Sequence, residues 1–397
     1  MARLAAPISE GGPGYSCVRS EWSCAGAGVR PKVLGDAVEG VTIPDLGEMA
    51  RALSLLSRES VDTQGFCPVF VDLETTGLSG MGAIPFVIGI ATIATDSTIG
   101  PASSHAGSRL VVEQWCLERL GEENAMLRAF AERLEQIQPT HLFSFNGASF
   151  DIPLLRRRFS FYGIPESAQG EGLAAHHIDL LHPARRLWRD VLENCRLSTL
   201  ERRYLGIHRV GDLSGAEIPE VFWAWLRAPN CPEAQAQITG VRVHNQIDLV
   251  ALPALVARLA RDILRPPDLR GVLCAARHLT RLGGSQHERA AIALLRRDRS
   301  GGLLATELQR CVALFEASLL KRHARHEEAV GLWELLRKSH PGDPEVHEAL
   351  AKDLEHRRRD PVRALRVARA SSAPCAHRVA RLEQKVGRIR NAEGGSS

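Results

Sequence analysis

The sequence predicts an α/β domain, a mixed sheet flanked by helices, followed by an all-α region. Three observations carry this reading. Short apolar runs of strand length recur between Phe66 and Leu181, at Val69–Val71, Ile84–Ile93, Leu142–Phe145 and the run HHIDLL. Around Asp248 the apolar residues change to helical spacing, at Ile247, Leu249, Val250, Leu252 and Leu255. Beyond Arg265-Pro266-Pro267 the strand signals stop and short helices are expected.

Within the strand-rich part, four acidic residues fall at the ends of these elements: Asp72, Glu74, Asp151 and Asp248. In VFVDLETTGL, Asp72 and Glu74 are two apart, so a strand points both to one face and turns Leu73 to the other. Thr75, Thr76 and Gly77 then break the strand, and Gly77 lets the backbone turn and a ligand approach closely. The run Ile84–Ile93, interrupted by Gly89, reads as the antiparallel partner. In FSFNGASFDIPLL, Asn146-Gly147 is a turn signal. A helix is expected from near Asp151, with Ser149 as its cap and Pro153 in its first turn. In VHNQIDLVAL, His244 and Asp248 are four apart and share one helix face. Buried carboxylates are costly unless paired or bound to a metal. Four that converge suggest hard divalent cations on oxygen ligands, and hence phosphodiester hydrolysis.

These motifs resemble the DEDD group of the ribonuclease H-like 3′–5′ exonucleases, and among them the bacterial YprB-type ribonuclease H-like domain proteins. DxETTGL matches Asp72 and Glu74, and NGxxFDxPxL matches Asn146, Phe150, Asp151, Pro153 and Leu155. The third motif matches His244, Asn245 and Asp248, with His four residues before the Asp as in the YprB-type pattern. The insert between them matches at Leu197, Glu201, Arg209, Asp212, Gly215 and Pro219. The order of strands, then helices, then Asp248 on a late helix fits an RNase H-like α/β layer.

The resemblance implies two divalent cations, Mg²⁺ or Mn²⁺. Asp72 would bridge them, Glu74 and Asp248 would complete one site, and Asp151 would reach the second through water. His244 would orient or deprotonate the attacking water. Thr75, Thr76, Gly77, Asn146 and Phe150 would contact the substrate. Asp179 is either a further acid of the metal site or a structural one. Arg209 and Asp212 form either a buried pair or a substrate contact. Of Arg156, Arg157 and Arg158, at most two can face a phosphate.

At 397 residues with 44% apolar content the chain can hold two or three domains. We expect a flexible Gly/Ala/Ser/Pro-rich leader over 1–43, an RNase H-like domain over 44–262 and a helical, TPR-like region over 268–397. In the last, Ala329 recurs as Ala364 and Leu332 as Val367, near the usual repeat of about 34 residues. Such helices suit a protein partner. A net charge of +4 does not by itself indicate nucleic acid. From Ala351 onward twelve Lys or Arg face five Asp or Glu, which is either a phosphate-binding surface or a charged outer face. Nine scattered cysteines without a CxxC pair suit reduced thiols in a cytoplasmic protein. No signal peptide or membrane span is expected.

The expected function is a 3′–5′ exonuclease on DNA or RNA. A non-catalytic scaffold acting through its helical repeats and a structure-specific endonuclease are the alternatives.

Overall fold

The computed structural model describes residues 8–10, 12, 14–23, 41–77, 82–95, 108–165, 176–209, 211, 213–297 and 306–394. The chain divides into two compact units, 1–262 and 263–397.

The first unit is built on a seven-stranded sheet in the order β1-β2-β5-β4-β3-β6-β7. β3 (Pro68–Thr75), β4 (Pro85–Thr95) and β5 (Ser108–Leu117) form an antiparallel meander. β6 (His141–Ser144) joins β3 in parallel, and β7 (His176–Asp179) joins β6 in parallel. The sheet is therefore mixed, as the apolar runs predict.

The expected leader over 1–43 needs correction. β1 (Ile8–Glu10) and β2 (Tyr15–Ser23) belong to this sheet, and β2 pairs antiparallel with β5 from Tyr15 opposite Leu117 to Ser23 opposite Arg109. Gly/Ala/Ser/Pro-rich composition hid this strand. Its stabilisation comes from backbone pairing along the edge of β5, which side-chain composition does not report.

One face of β3 packs into an apolar core. Val69, Val71 and Leu73 of β3 cluster with Met126, Phe130 and Leu134 of α2 (Glu123–Ile137) and with Ile152, Leu155 and Phe159 of α3 (Asp151–Phe161). Phe222 of α6 (Ile218–Arg227) stacks on Phe86 at 4.1 Å. Each such buried side chain contributes about 1.5–3 kcal/mol. The alternate residues of β3, Phe70, Asp72 and Glu74, face the other way.

Ahead of the sheet core lies α1 (Leu46–Leu56), started by a reciprocal capping box between Asp45 and Glu48. After β7 come α4 (Leu181–Trp188) and α5 (Leu197–Leu200), the latter running into a π turn at Glu201–Leu205. The 33-residue α7 (Pro232–Leu264) follows α6 and is about 50 Å long. Trp188 of α4 donates to Asp262 of α7, and Arg258 of α7 lies over the Tyr204 ring, so the insert grips this helix.

Gly89 sets how α7 approaches the sheet. It sits in β4 opposite Asp72 of β3 and Gln114 of β5. A Cβ there would lie 2.3 Å from Asn245 Oδ1 and 2.6 Å from Leu249 Cδ1, both on α7. Only a glycine admits this contact.

The second unit is all-α: α8 (Leu269–Leu282), α9 (Ser285–Arg297), α10 (Glu307–Arg322), α11 (His326–Ser339), α12 (Pro344–His356), α13 (Pro361–Arg369) and α14 (Ala376–Gly394). Each helix packs on the next. Ala329 and Ala364 are fully buried near the starts of α11 and α13. Gly342, at φ +83°, makes the turn into α12, which Asp343 caps. Much of the basic C-terminal charge is engaged in ion pairs. Arg357 and Arg358 pair with Asp353 and Glu327, while Arg378, Arg381 and Lys385 close on the buried Glu355. Burial pushes the Glu355 carboxyl up, but hydrogen bonds from Arg381 and Lys385 outweigh it and hold it at about 2. No described helix is long and apolar enough to cross a membrane.

Gly89→Ala is expected to force α7 away from the sheet and destabilise the first unit by about 1–3 kcal/mol. A denaturant midpoint equal to that of the parent protein would contradict this packing.

Candidate active site

Asp72 and Glu74 project from the end of β3 on the face that α7 covers, and α7 brings His244, Asn245 and Asp248 to them. A register shift between Glu74 and Thr75 marks a bulge where the strand leaves the ladder. Asp151 opens α3, and its carboxylate takes hydrogen bonds from its own backbone N–H and that of Leu73. The three acidic segments of the sequence thus converge. Among the described residues, Glu74, His244 and Asp248 offer ligand atoms within 4.8 Å of one another.

Asn245 holds Asp72 in place. It is fully buried, and its amide donates to Asp72 Oδ2 at 2.7 Å and to the Asp72 carbonyl at 3.1 Å. Its Oδ1 accepts from Gln114 Nε2 at 2.7 Å, and Gln114 also donates to the Arg242 carbonyl at 2.9 Å. Gln114, Gly89 and Asp72 lie side by side on three strands, so one amide on α7 spans the row.

The electrostatics of the cluster are those of crowded acids. Burial, then the charges of Asp248, Glu74 and Asp151, push the Asp72 carboxyl well above its usual range against the Asn245 hydrogen bond. Burial raises Glu74 to about 8; His244 lowers it, while Asp248 and Asp151 raise it further. Burial raises Asp151 to about 7 despite its backbone hydrogen bonds, with Asp179 and Asp248 adding to the rise. Carboxylates that repel in this way are suited to a multivalent cation, and their oxygens are the donors that hard cations take.

Arg209 also enters this cluster. Its guanidinium pairs with Asp248 Oδ1 and with both oxygens of the buried Glu201, Nε lying 2.8 Å from Oε2. Arg209 Nη1 lies 3.3 Å from His244 Nδ1. A guanidinium N–H can only donate, so this contact suits a His244 ring whose Nδ1 accepts, with Nε2 3.7 Å from Asp248 Oδ2. Burial opposes the charge of Arg209, but Asp248 and Glu201 more than offset it and push its pKa up. Burial also raises Glu201, to about 7. Arg209 pairs with Glu201 and Asp248; Asp212, the partner expected from the sequence, lies outside the described residues.

The remaining expected residues divide by role. Asp179 accepts from the N–H groups of Asn146 at 2.8 Å, Ala148 at 3.2 Å and Leu181 at 3.0 Å, fixing the turn that leads to Asp151. In that turn Asn146 has φ +68°, and a Cβ on Gly147 would collide with Ser144 Oγ at 2.4 Å. Ser149 does not cap α3. The cap position is Phe150, without a side-chain bond, and the Ile152 N–H donates to the Gly147 carbonyl instead. Phe150 is 46% exposed at this corner. The Thr75 hydroxyl donates to the Gly77 carbonyl at 2.9 Å. The Thr76 N–H donates to the Ile84 carbonyl, and its hydroxyl accepts from the Ile84 N–H. The Thr76 N–H therefore closes the turn rather than facing a ligand. Of the three arginines after Asp151, Arg158 is held by Glu123 and Tyr162, while Arg156 and Arg157 are exposed.

Sequence reasoning missed Gln114 and the packing role of Gly89, and did not place Glu201 in the site. Gln114 lies 131 residues from Asn245, with no local pattern to mark it.

Residues 69–260 match the family model described as RNase_H superfamily. This is an RNase H-like domain. The chain is 29% identical over 325 residues to "Uncharacterized protein YprB" of Bacillus subtilis (strain 168), covering 77% of this chain and 69% of that protein. A structure of the family B DNA polymerase from the hyperthermophilic archaeon Pyrobaculum calidifontis aligns over 58% of this chain and 29% of its own, at 13% identity and a TM-score of 0.38.

The raised carboxyls of the RNase H-like domain have a consequence for stability. Between the ordinary carboxylate range and pH about 8, the folded state keeps protons on Glu74 and Asp151 that the unfolded chain has released. Their contribution is therefore fully present at low pH and lost as pH rises through about 7–8. The metal-free protein should melt at a higher temperature near pH 5 than near pH 8.5, and Mn²⁺ at the higher pH should recover the difference. Thermal denaturation at both pH values, with and without Mn²⁺, checks this.

Proposed function

We propose that the RNase H-like domain is a metal-dependent nuclease, acting as a 3′–5′ exonuclease on DNA or RNA. One observation carries the reading: four oxygen-donor carboxylates from three distant segments converge with one another and with a histidine. Asp72, Glu74, Asp151 and Asp248 would hold two divalent cations, Mg²⁺ or Mn²⁺. Bound there, the cations would supply an activated water and neutralise charge on the leaving oxygen.

The side chains around them have separate tasks. Asn245 keeps the Asp72 carboxylate aimed. His244, as a neutral imidazole, would orient the attacking water or take its proton. The exposed Phe150 ring would stack on a base, a contact that tolerates any sequence. Thr75, Thr76 and Gly77 at the end of β3 and Asn146 beside Asp151 would border the terminal nucleotide. In the second unit, the repeated burial of Ala329 and Ala364 supports a TPR-like reading, with a protein partner on those helices.

The test is digestion of 5′-labelled single- and double-stranded DNA and RNA with Mg²⁺, Mn²⁺ or EDTA, beside an Asp72→Asn control. A metal-dependent ladder shortening from the 3′ end and absent in the variant is expected. A single internal cut would instead assign an endonuclease, and no cleavage by folded protein would favour a scaffold. Asn245→Ala should lower turnover by roughly 10–100-fold, the usual effect of removing the group behind a metal ligand. Wild-type turnover in Asn245→Ala would remove Asn245 from the mechanism.

A further inference from the structure

We propose that Arg209, held by Glu201, is an internal cation that occupies Asp248 in the metal-free protein and must be displaced before metal binds there. The inference rests on the nuclease reading above and adds a control on its loading. Three contacts support it. The guanidinium pairs directly with Asp248, one of the four carboxylates of the cluster. It also lies 3.3 Å from His244 Nδ1, while His244 Nε2 is 3.7 Å from Asp248 Oδ2. Finally, it has a second acid to retain it: Glu201, 1% exposed, binds the same guanidinium through both oxygens.

The arrangement divides one guanidinium between two acids of different roles. Glu201 lies on the π turn after α5, within the insert, and Asp248 lies on α7. When a divalent cation takes Asp248, Arg209 loses that partner but keeps Glu201, so no buried charge is stranded. The same movement would release the Arg209 contact on His244 Nδ1. Metal loading and the surroundings of the imidazole are thereby linked through one side chain. Displacement costs the contact between Arg209 and Asp248, so the site in the parent protein binds metal more weakly than its carboxylates alone would.

Two substitutions should move metal affinity in opposite directions. Glu201→Gln removes the acid to which Arg209 retreats and leaves Asp248 as its remaining charged partner among these two, so Mn²⁺ should bind more weakly. The double variant Glu201→Gln/Arg209→Gln removes one charge of each sign and hence keeps the local sum unchanged. Mn²⁺ should then bind about tenfold tighter or more, the worth of one hydrogen bond between charged groups. Arg209→Lys keeps the charge without the planar fork and should fall between the parent and the double variant.

The measurement is Mn²⁺ binding to the full chain by electron paramagnetic resonance, with thermal denaturation to confirm folding. If the double variant does not fold, Arg209→Lys carries the test. Equal affinity in the parent and the folded Arg209 variants, with binding abolished by Asp72→Asn, would overturn the latch and leave the metal site standing. Absence of Mn²⁺ binding to the parent protein at millimolar concentration would overturn the metal reading, and the latch with it.

Discussion

The site depends on one buried amide. Asn245 reaches from α7 to the row Asp72–Gly89–Gln114, donating to the first and accepting from the last. It can do so only because the middle residue has no side chain. Apolar packing between α7 and the sheet is not directional, so this contact fixes α7 against β3 while Gln114 also holds the Arg242 carbonyl on the same helix. The amide converts helix-on-sheet packing into a defined placement of Asp72 relative to Asp248, three residues further along the same helix.

That placement creates the electrostatic problem that defines the RNase H-like domain. Burial, and after it their mutual charge, raises the affinity of these acids for protons, and Glu74 and Asp151 reach about 8 and 7. Arg209 brings a positive charge to Asp248 and to Glu201. The insert between α4 and α6 is thus more than a connection. It delivers a cation to the carboxylate that α7 carries, while Trp188–Asp262 and Arg258–Tyr204 tie the same regions together away from the cluster. Asp179 performs a similar supporting task on the opposite side, where its carboxylate takes three backbone N–H groups and shapes the turn before Asp151.

Much of this architecture is legible from local signals. Alternation around Val69–Glu74 separates a core face from an acidic face, and Gly89 interrupts an otherwise continuous apolar strand. The four-residue spacing of His244 and Asp248 puts them on one helix face. Less legible were β2, whose place in the sheet comes from edge pairing with β5, and Arg158, whose partner Glu123 is 35 residues away. Neither leaves a periodic trace.

The sequence by itself determined the mixed α/β class, the all-α region after Pro267 and the acids Asp72, Glu74, Asp151 and Asp248, because strand and helix periods and turn residues act over a few positions. Only the tertiary structure decided that Asn245 and Gln114 hold Asp72, that Glu201 presents Arg209 to Asp248, and that Asp179 serves the turn. Those pairings join residues distant in sequence, and their energies exist only after burial has removed water and brought the partners within hydrogen-bond reach.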